Sequence, residues 1–150
     1  MTVHPPQELL EAVLQLSAEI GADRLGLAAI ALGWATVDRE RSAVELAAYG
    51  PFEPAADEVI LGARCLVGQP ATGGIRLAIV EPNTEGRLAA TLARHDEGPA
   101  VLWVTGAPPP DIHLSTKALG PFGAERLVLG GRLGGRHLVV VDGPAGTIER

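Results

Sequence analysis

The stretch IVEPNTEGRLAATLARHDEGPAVLWV, Ile79 to Val104, constrains the fold more than any other part of the chain. It reads as the end of a strand, a turn at Pro82, one short helix, a break at Gly98-Pro99 and a second strand. Asn83 or Thr84 suits the N-cap, and Glu85 falls in the first turn, where the helix dipole favours a carboxylate. Leu88, Ala89, Leu92 and Ala93 recur at helical spacing and form the apolar face, while Arg87, Arg94 and His95 point elsewhere.

The flanking sequence extends this alternation of strands and helices. Leu9, Leu10, Val13, Leu16 and Ile20 predict a helix near residues 6–20, stopped by Gly21. GLAAIALGWATVD reads as a strand ending at Asp38, and RERSAVELAAYG as a short helix stopped by Gly50-Pro51. DEVILGARCLVGQ supplies one strand, or two short ones broken at Gly62, and GIRLAIVEP another. After PAVLWVT comes the rigid loop GAPPPD, then IHLSTKAL, which fits a brief helix. ERLVLGG and RHLVVVDG read as closing strands around the glycine-rich connection Gly130–Gly135, which lacks the spacing of a dinucleotide fingerprint and reads as a hairpin. The tail 144–150 is expected to be mobile. Two units of similar order suggest an internal duplication within one α+β domain.

Composition narrows the function classes. The chain has 150 residues, enough for one core without metals or disulfides, and its single cysteine excludes an internal disulfide. Cys65 reads as an inert small apolar group. Net charge is −6 and no basic stripe with interleaved aromatics is present, which argues against a nucleic-acid partner and modestly favours neutral or cationic ligands. No signal-like start and no apolar run of about 18 residues appear, so the expectation is a soluble, cytoplasmic protein without membrane contact.

LGWATVD at 32–38, LGARCLVG at 61–68 and LAIVEPNTEGRLAATLARHDEGP at 77–99 fall in an order that resembles the vicinal oxygen chelate superfamily of glyoxalases and bleomycin-resistance proteins. Within it they look most like the methylmalonyl-CoA epimerase-like branch, where an LLEP strand leads to a helix and a GEG turn; here Asp96-Glu97-Gly98 stands at that turn. The resemblance covers roughly residues 30–105 and does not extend to the N-terminal helix. It implies paired βαβββ modules whose curved sheets form one pocket, with an extra N-terminal helix and a shortened second module. On that frame residues 1–22 are the helix, 23–97 the first module, 98–143 the second and 144–150 the tail. Family habit implies a homodimer.

The resemblance also implies where metal ligands would stand: a His on the first strand of each module and a Glu on the last. The residues at those places are Ala31, Ala78, Val101 and Val139. None has a donor atom, so the expectation is no metal and no other cofactor. Every second residue of a strand shares a face. If those four face the pocket, so do Gly33 and Ala35, Arg76 and Val80, Trp103, and His137 with Val141. A mostly apolar pocket follows, with Arg76, Trp103 and His137 as its polar or aromatic features and small first-strand residues leaving room for a bulky ligand. Structural readings stand beside these: Trp103 as a core aromatic, Arg76 as an edge residue with its head in water, His137 as a half-buried strand histidine. Glu81 reads as a local cap or pair, and His95-Asp96-Glu97 as a solvated helix end.

Two functions compete. One is a metal-independent isomerase, lyase or cyclase acting on an acyl or polyketide-like small molecule in bacterial secondary metabolism, with His137 as acid–base group and Arg76 holding a carboxylate or enolate oxygen. The other is a non-catalytic binder of the antibiotic-sequestering type, although the resistance-type D-x-x-G-N element is missing.

Overall fold

The computed structural model describes residues 5–70, 74–129 and 135–142. The expected hairpin over 130–134 and the tail 144–150 lie outside the described residues. Helix α1 spans Pro5–Ile20, and Leu9, Val13, Leu16 and Ile20 form its buried stripe. Burying four such side chains contributes on the order of 6–12 kcal/mol before chain entropy is charged against it. Strand β1 (Ala28–Ala35) leads to α2 (Arg39–Glu45) and then to β2 (Glu53–Glu58), β3 (Ala63–Val67) and β4 (Arg76–Pro82). Helix α3 (Arg87–His95) connects to β5 (Gly98–Thr105), followed by β6 (His113–Leu114), β7 (Ala118–Gly120), β8 (Gly123–Leu129) and β9 (His137–Val141).

The strands form one mixed sheet in the order β2-β3-β4-β1-β5-β9-β8-β6, with β7 also paired to β8. β1 runs parallel to β4, and β5 parallel to β9. Antiparallel β1 and β5 join the halves at the centre, with Leu32 opposite Leu102. Each half thus places its first strand beside its last, the pairing of a βαβββ module. The second half has the Pro-rich segment 106–112 where the first has α2, and this is its shortening.

Several boundaries differ from expectation for local reasons. β1 ends at Ala35, and Asp38 instead caps α2, its carboxylate accepting from the Arg41 N–H at 3.1 Å. α3 begins at Arg87 rather than at Asn83 or Thr84. Segment 83–86 is held by the β2–β3 turn, the Asn83 N–H donating to the Gly62 carbonyl and the Leu88 N–H to the Leu61 carbonyl. IHLSTKAL forms β6 and β7 rather than a helix. Ile112 and Leu114, two residues apart, both pack into the core under α1, and the Ser115 N–H donates to the Leu127 carbonyl. That is strand periodicity enforced by pairing to β8.

The sheet curls until β2 approaches β7, and its two faces carry separate cores. Outside, α1 covers Leu32, Leu77, Leu102, Leu138 and Val140. Inside lie Ala31, Ala35, Ala78, Val80, Val101, Trp103 and Val139 with Leu61, Leu88 and Leu127.

Candidate functional site

The inner face is where the expected pocket residues converge, and most of it is packed. Gly33 belongs to it: a Cβ added there would stand 2.8 Å from both Trp103 Cζ3 and Val101 Cβ. The small first-strand residues leave room, as expected, but the Trp103 indole fills that room. Trp103 is fully buried. Among the described residues an open cleft of about 170 Å³ lies at the β2–β7 seam, lined by Ala55, Val67, Arg76 and Phe122 among others. Phe122 lies between the cleft and the core, its ring edge-on to Trp103 with centroids 5.1 Å apart.

Behind Trp103 sits a pair of glutamates that the sequence reading did not single out. Glu58 ends β2 and Glu125 lies in β8; both are 0% exposed and their carboxyl groups meet. The Trp103 indole N–H donates to Glu58 Oε1 at 3.1 Å, and the Ile60 and Leu61 N–H groups also face Glu58. Glu58 Oε2 and both oxygens of Glu125 have no N–H or hydroxyl donor. Burial pushes both carboxyls up, and Glu125, facing Glu58 besides, reaches about 10. At neutral pH the arrangement is satisfied by one proton: Glu125 is the acid and donates to Glu58, whose charge the indole and amides hold. Gly120 is required beside it, because a Cβ there would overlap the Glu125 carboxyl.

Alternation carried a signal for Glu125, which is in phase with the inward Leu127 and Leu129. Glu58 carried none, since a register shift between Ala55 and Glu58 interrupts the phase of β2. Cys65, also inward and buried, has its thiol pushed up to about 12, by burial first and then by Glu58, so it is held in its protonated form.

The structure does not bring Arg76 and His137 together. Arg76 is exposed at the cleft mouth on β4. His137 is on β9, three strand spacings away, or roughly 14 Å. Its Nε2 lies 2.8 Å from Thr91 Oγ1 on α3. That hydroxyl has one proton to give, and two carbonyls are in reach of it, Gly135 at 2.6 Å and Arg87 at 3.1 Å. The nearer Gly135 carbonyl takes that proton, and a neutral His137 donates its ring N–H to Thr91, with the Arg87 carbonyl as a second acceptor facing the imidazole. Burial depresses the imidazole's basicity, and the pair fastens α3 to β9.

Of two other polar expectations one changes and one does not. Glu97 is the hub of a bracket rather than part of a solvated helix end: its Oε2 accepts from Thr36 Oγ1 at 2.9 Å and the Val37 N–H at 3.0 Å, and pairs with Arg41. Those donors hold its carboxyl below the usual range. Glu81 does serve locally, accepting from the Arg39 N–H at the start of α2 and pairing with Arg64.

A curled mixed sheet of two edge-joined modules, here a βαβββ unit and a second unit without its helix, is the vicinal oxygen chelate fold, and this chain has it. Solved structures agree. A variant of methylmalonyl-CoA epimerase from Streptomyces coelicolor, in complex with 2-nitronate-propionyl-CoA, is 18% identical over 83% of this chain and 99% of its own, with a TM-score of 0.62. The epimerase from Mycobacterium tuberculosis is 14% identical over 77% of this chain and 87% of its own, at 0.61. A hypothetical protein from Bacillus halodurans is 11% identical over 77% and 94%, at 0.60. No family model and no curated protein sequence matches the chain. Among the described residues no helix is long and apolar enough to cross a membrane.

Proposed function

We propose that the protein is an isomerase that moves a proton on an acyl small molecule, with Glu58 and Glu125 as its base and acid. The observation that carries this reading is the fully buried pair of meeting carboxyl groups on the inner face. Such a pair is costly to bury and adds little stability, whereas one ionised and one neutral carboxyl side by side is what proton transfer at carbon needs. A ligand entering at the cleft displaces Phe122 and separates the pair. The Glu58 carboxylate then takes the proton α to the carbonyl and Glu125 returns one, leaving the pair with a single proton as before. Arg76 at the mouth holds an anionic group of the ligand, and Trp103 keeps Glu58 Oε1 engaged so that Oε2 is the basic oxygen.

The reading is metal-independent. Ala31, Ala78, Val101 and Val139 offer no donor atoms, and among the described residues no three of His, Cys, Asp or Glu converge. The assembly that goes with it is a cytoplasmic homodimer, twofold pairs being the commonest oligomers; a monomer mass by light scattering would remove that part. The test is α-proton exchange in D₂O with methylmalonyl-CoA and smaller acyl thioesters, with and without a chelator. Exchange unchanged by the chelator and reduced about 10²–10⁴-fold in Glu58→Gln and Glu125→Gln is expected. Tight binding with the ligand recovered unexchanged would instead make this a sequestering protein, and exchange that needs added metal would overturn the metal-free site.

A further inference from the structure

We propose a second ligand site on the opposite face of the sheet, an aromatic-walled cavity that takes a small quaternary or alkylated ammonium ion. It lies between α1 and β1, beside the one-turn helix at Ala47–Tyr49, and encloses about 240 Å³. Trp34 and Tyr49 supply aromatic walls, and Leu9, Leu32 and Leu77 an apolar floor. Among the described residues Glu8 is the one charged residue lining it. Its partner there is the Tyr49 hydroxyl, whose own proton is held more firmly by burial and by Glu8.

Cation recognition follows from this combination. Aromatic faces attract a cation through their quadrupole, and the attraction grows where water is excluded. An ammonium ion bearing methyl groups suits apolar walls better than a bare one, because its hydration is weak and its surface is greasy. The Glu8 side chain is exposed and forms no ion pair with any described basic residue, so a bound cation meets an uncompensated carboxylate. Among the described lining residues the side-chain donors are the Tyr49 hydroxyl and the Trp34 indole N–H, both neutral, so an anion meets no cationic group here. The cavity exists because α1, which precedes the two modules, is laid across the outer face. It shares no lining residue with the Glu58–Glu125 pair.

Calorimetric titration with choline and tetramethylammonium, against the neutral isostere 3,3-dimethylbutan-1-ol, tests the assignment. Choline should bind at least about tenfold more tightly than the isostere, and Glu8→Gln and Trp34→Leu should each reduce that preference severalfold. Glu8→Gln alters an exposed side chain, so an unchanged melting temperature shows that the fold is intact, and the acyl-exchange reaction should be unaffected. Equal binding of choline and the isostere would mean an apolar cavity without charge recognition and overturn the proposal. So would absence of binding, or a preference for choline that survives in both variants.

Discussion

At Gly33 the constraint is space rather than backbone conformation. A methyl group there must displace Trp103 or Val101, neither of which has room to move in a closed core, so Gly33→Ala should cost about 1–3 kcal/mol in urea unfolding. The same indole explains why its replacement is felt twice. Trp103→Phe empties part of the inner core and strips Glu58 of a donor, so a loss of about 2–4 kcal/mol is expected, with a larger drop in proton exchange than Gly33→Ala produces. At this scale the sequence was readable in one direction only. Alternation placed Ala31, Ala35, Ala78, Val80, Val101, Trp103 and Val139 on one face, because each lies mid-strand where the two-residue period holds. It could not reveal that Trp103 reaches back over Gly33, or that Glu58 and Glu125 meet. Those contacts are set by the curl of the sheet and not by any spacing along the chain.

Elements here are fastened by single polar side chains that reach far in sequence. Thr91 and His137 pin α3 to β9, and Glu97 at the start of β5 ties down the end of β1 and the first turn of α2. Thr91→Val should cost about 0.5–1.5 kcal/mol, since it takes the Thr91 donor from the Gly135 carbonyl and leaves His137 only the Arg87 carbonyl as acceptor. It should leave the exchange reaction within a few-fold of the parent, because neither group touches the carboxyl pair. Nitrogen NMR of His137 should show the Nε2-protonated tautomer at neutral pH. A catalytic imidazole would instead make Thr91→Val slow the reaction and shift its pH profile. α1 and the strand cores were legible because their apolar periods are long and uninterrupted. β2 was not, as EPAADE offers proline, alanine and acids where strands favour branched and aromatic residues. It is a strand because β3 pairs with it.

For the whole molecule, the buried carboxyl pair crosses from the first module to the second, so its protonation is linked to stability. Glu125 holds its proton in the folded chain up to about pH 10, while an unfolded glutamate loses it near its ordinary value. Over that interval the folded state binds more protons than the unfolded state, and stability falls as pH rises, by at most about 1.4 kcal/mol per pH unit. His137 acts with the opposite sign. Its folded basicity is depressed, so below about pH 6.5 the unfolded chain binds the extra proton and stability falls as pH falls. Between roughly pH 4.5 and 6.5 the two slopes oppose one another; above 6.5 the carboxyl pair acts alone until about pH 8.5, where an unfolded Cys65 thiol begins to ionise while the folded one, pushed up to about 12, does not, and this adds to the decline. Thermal unfolding should therefore show a shallow plateau on the acid side and a steady decline from pH 7 to 9. Glu125→Gln offers Glu58 a permanent neutral donor of similar shape, so the variant should lose the alkaline decline up to about pH 8.5 and overtake the parent in stability at pH 9 while losing exchange activity. A parent curve flat from pH 7 to 9, or a variant that declines in parallel with it, would mean that no proton is shared between the modules, and the acid–base reading would fall with it.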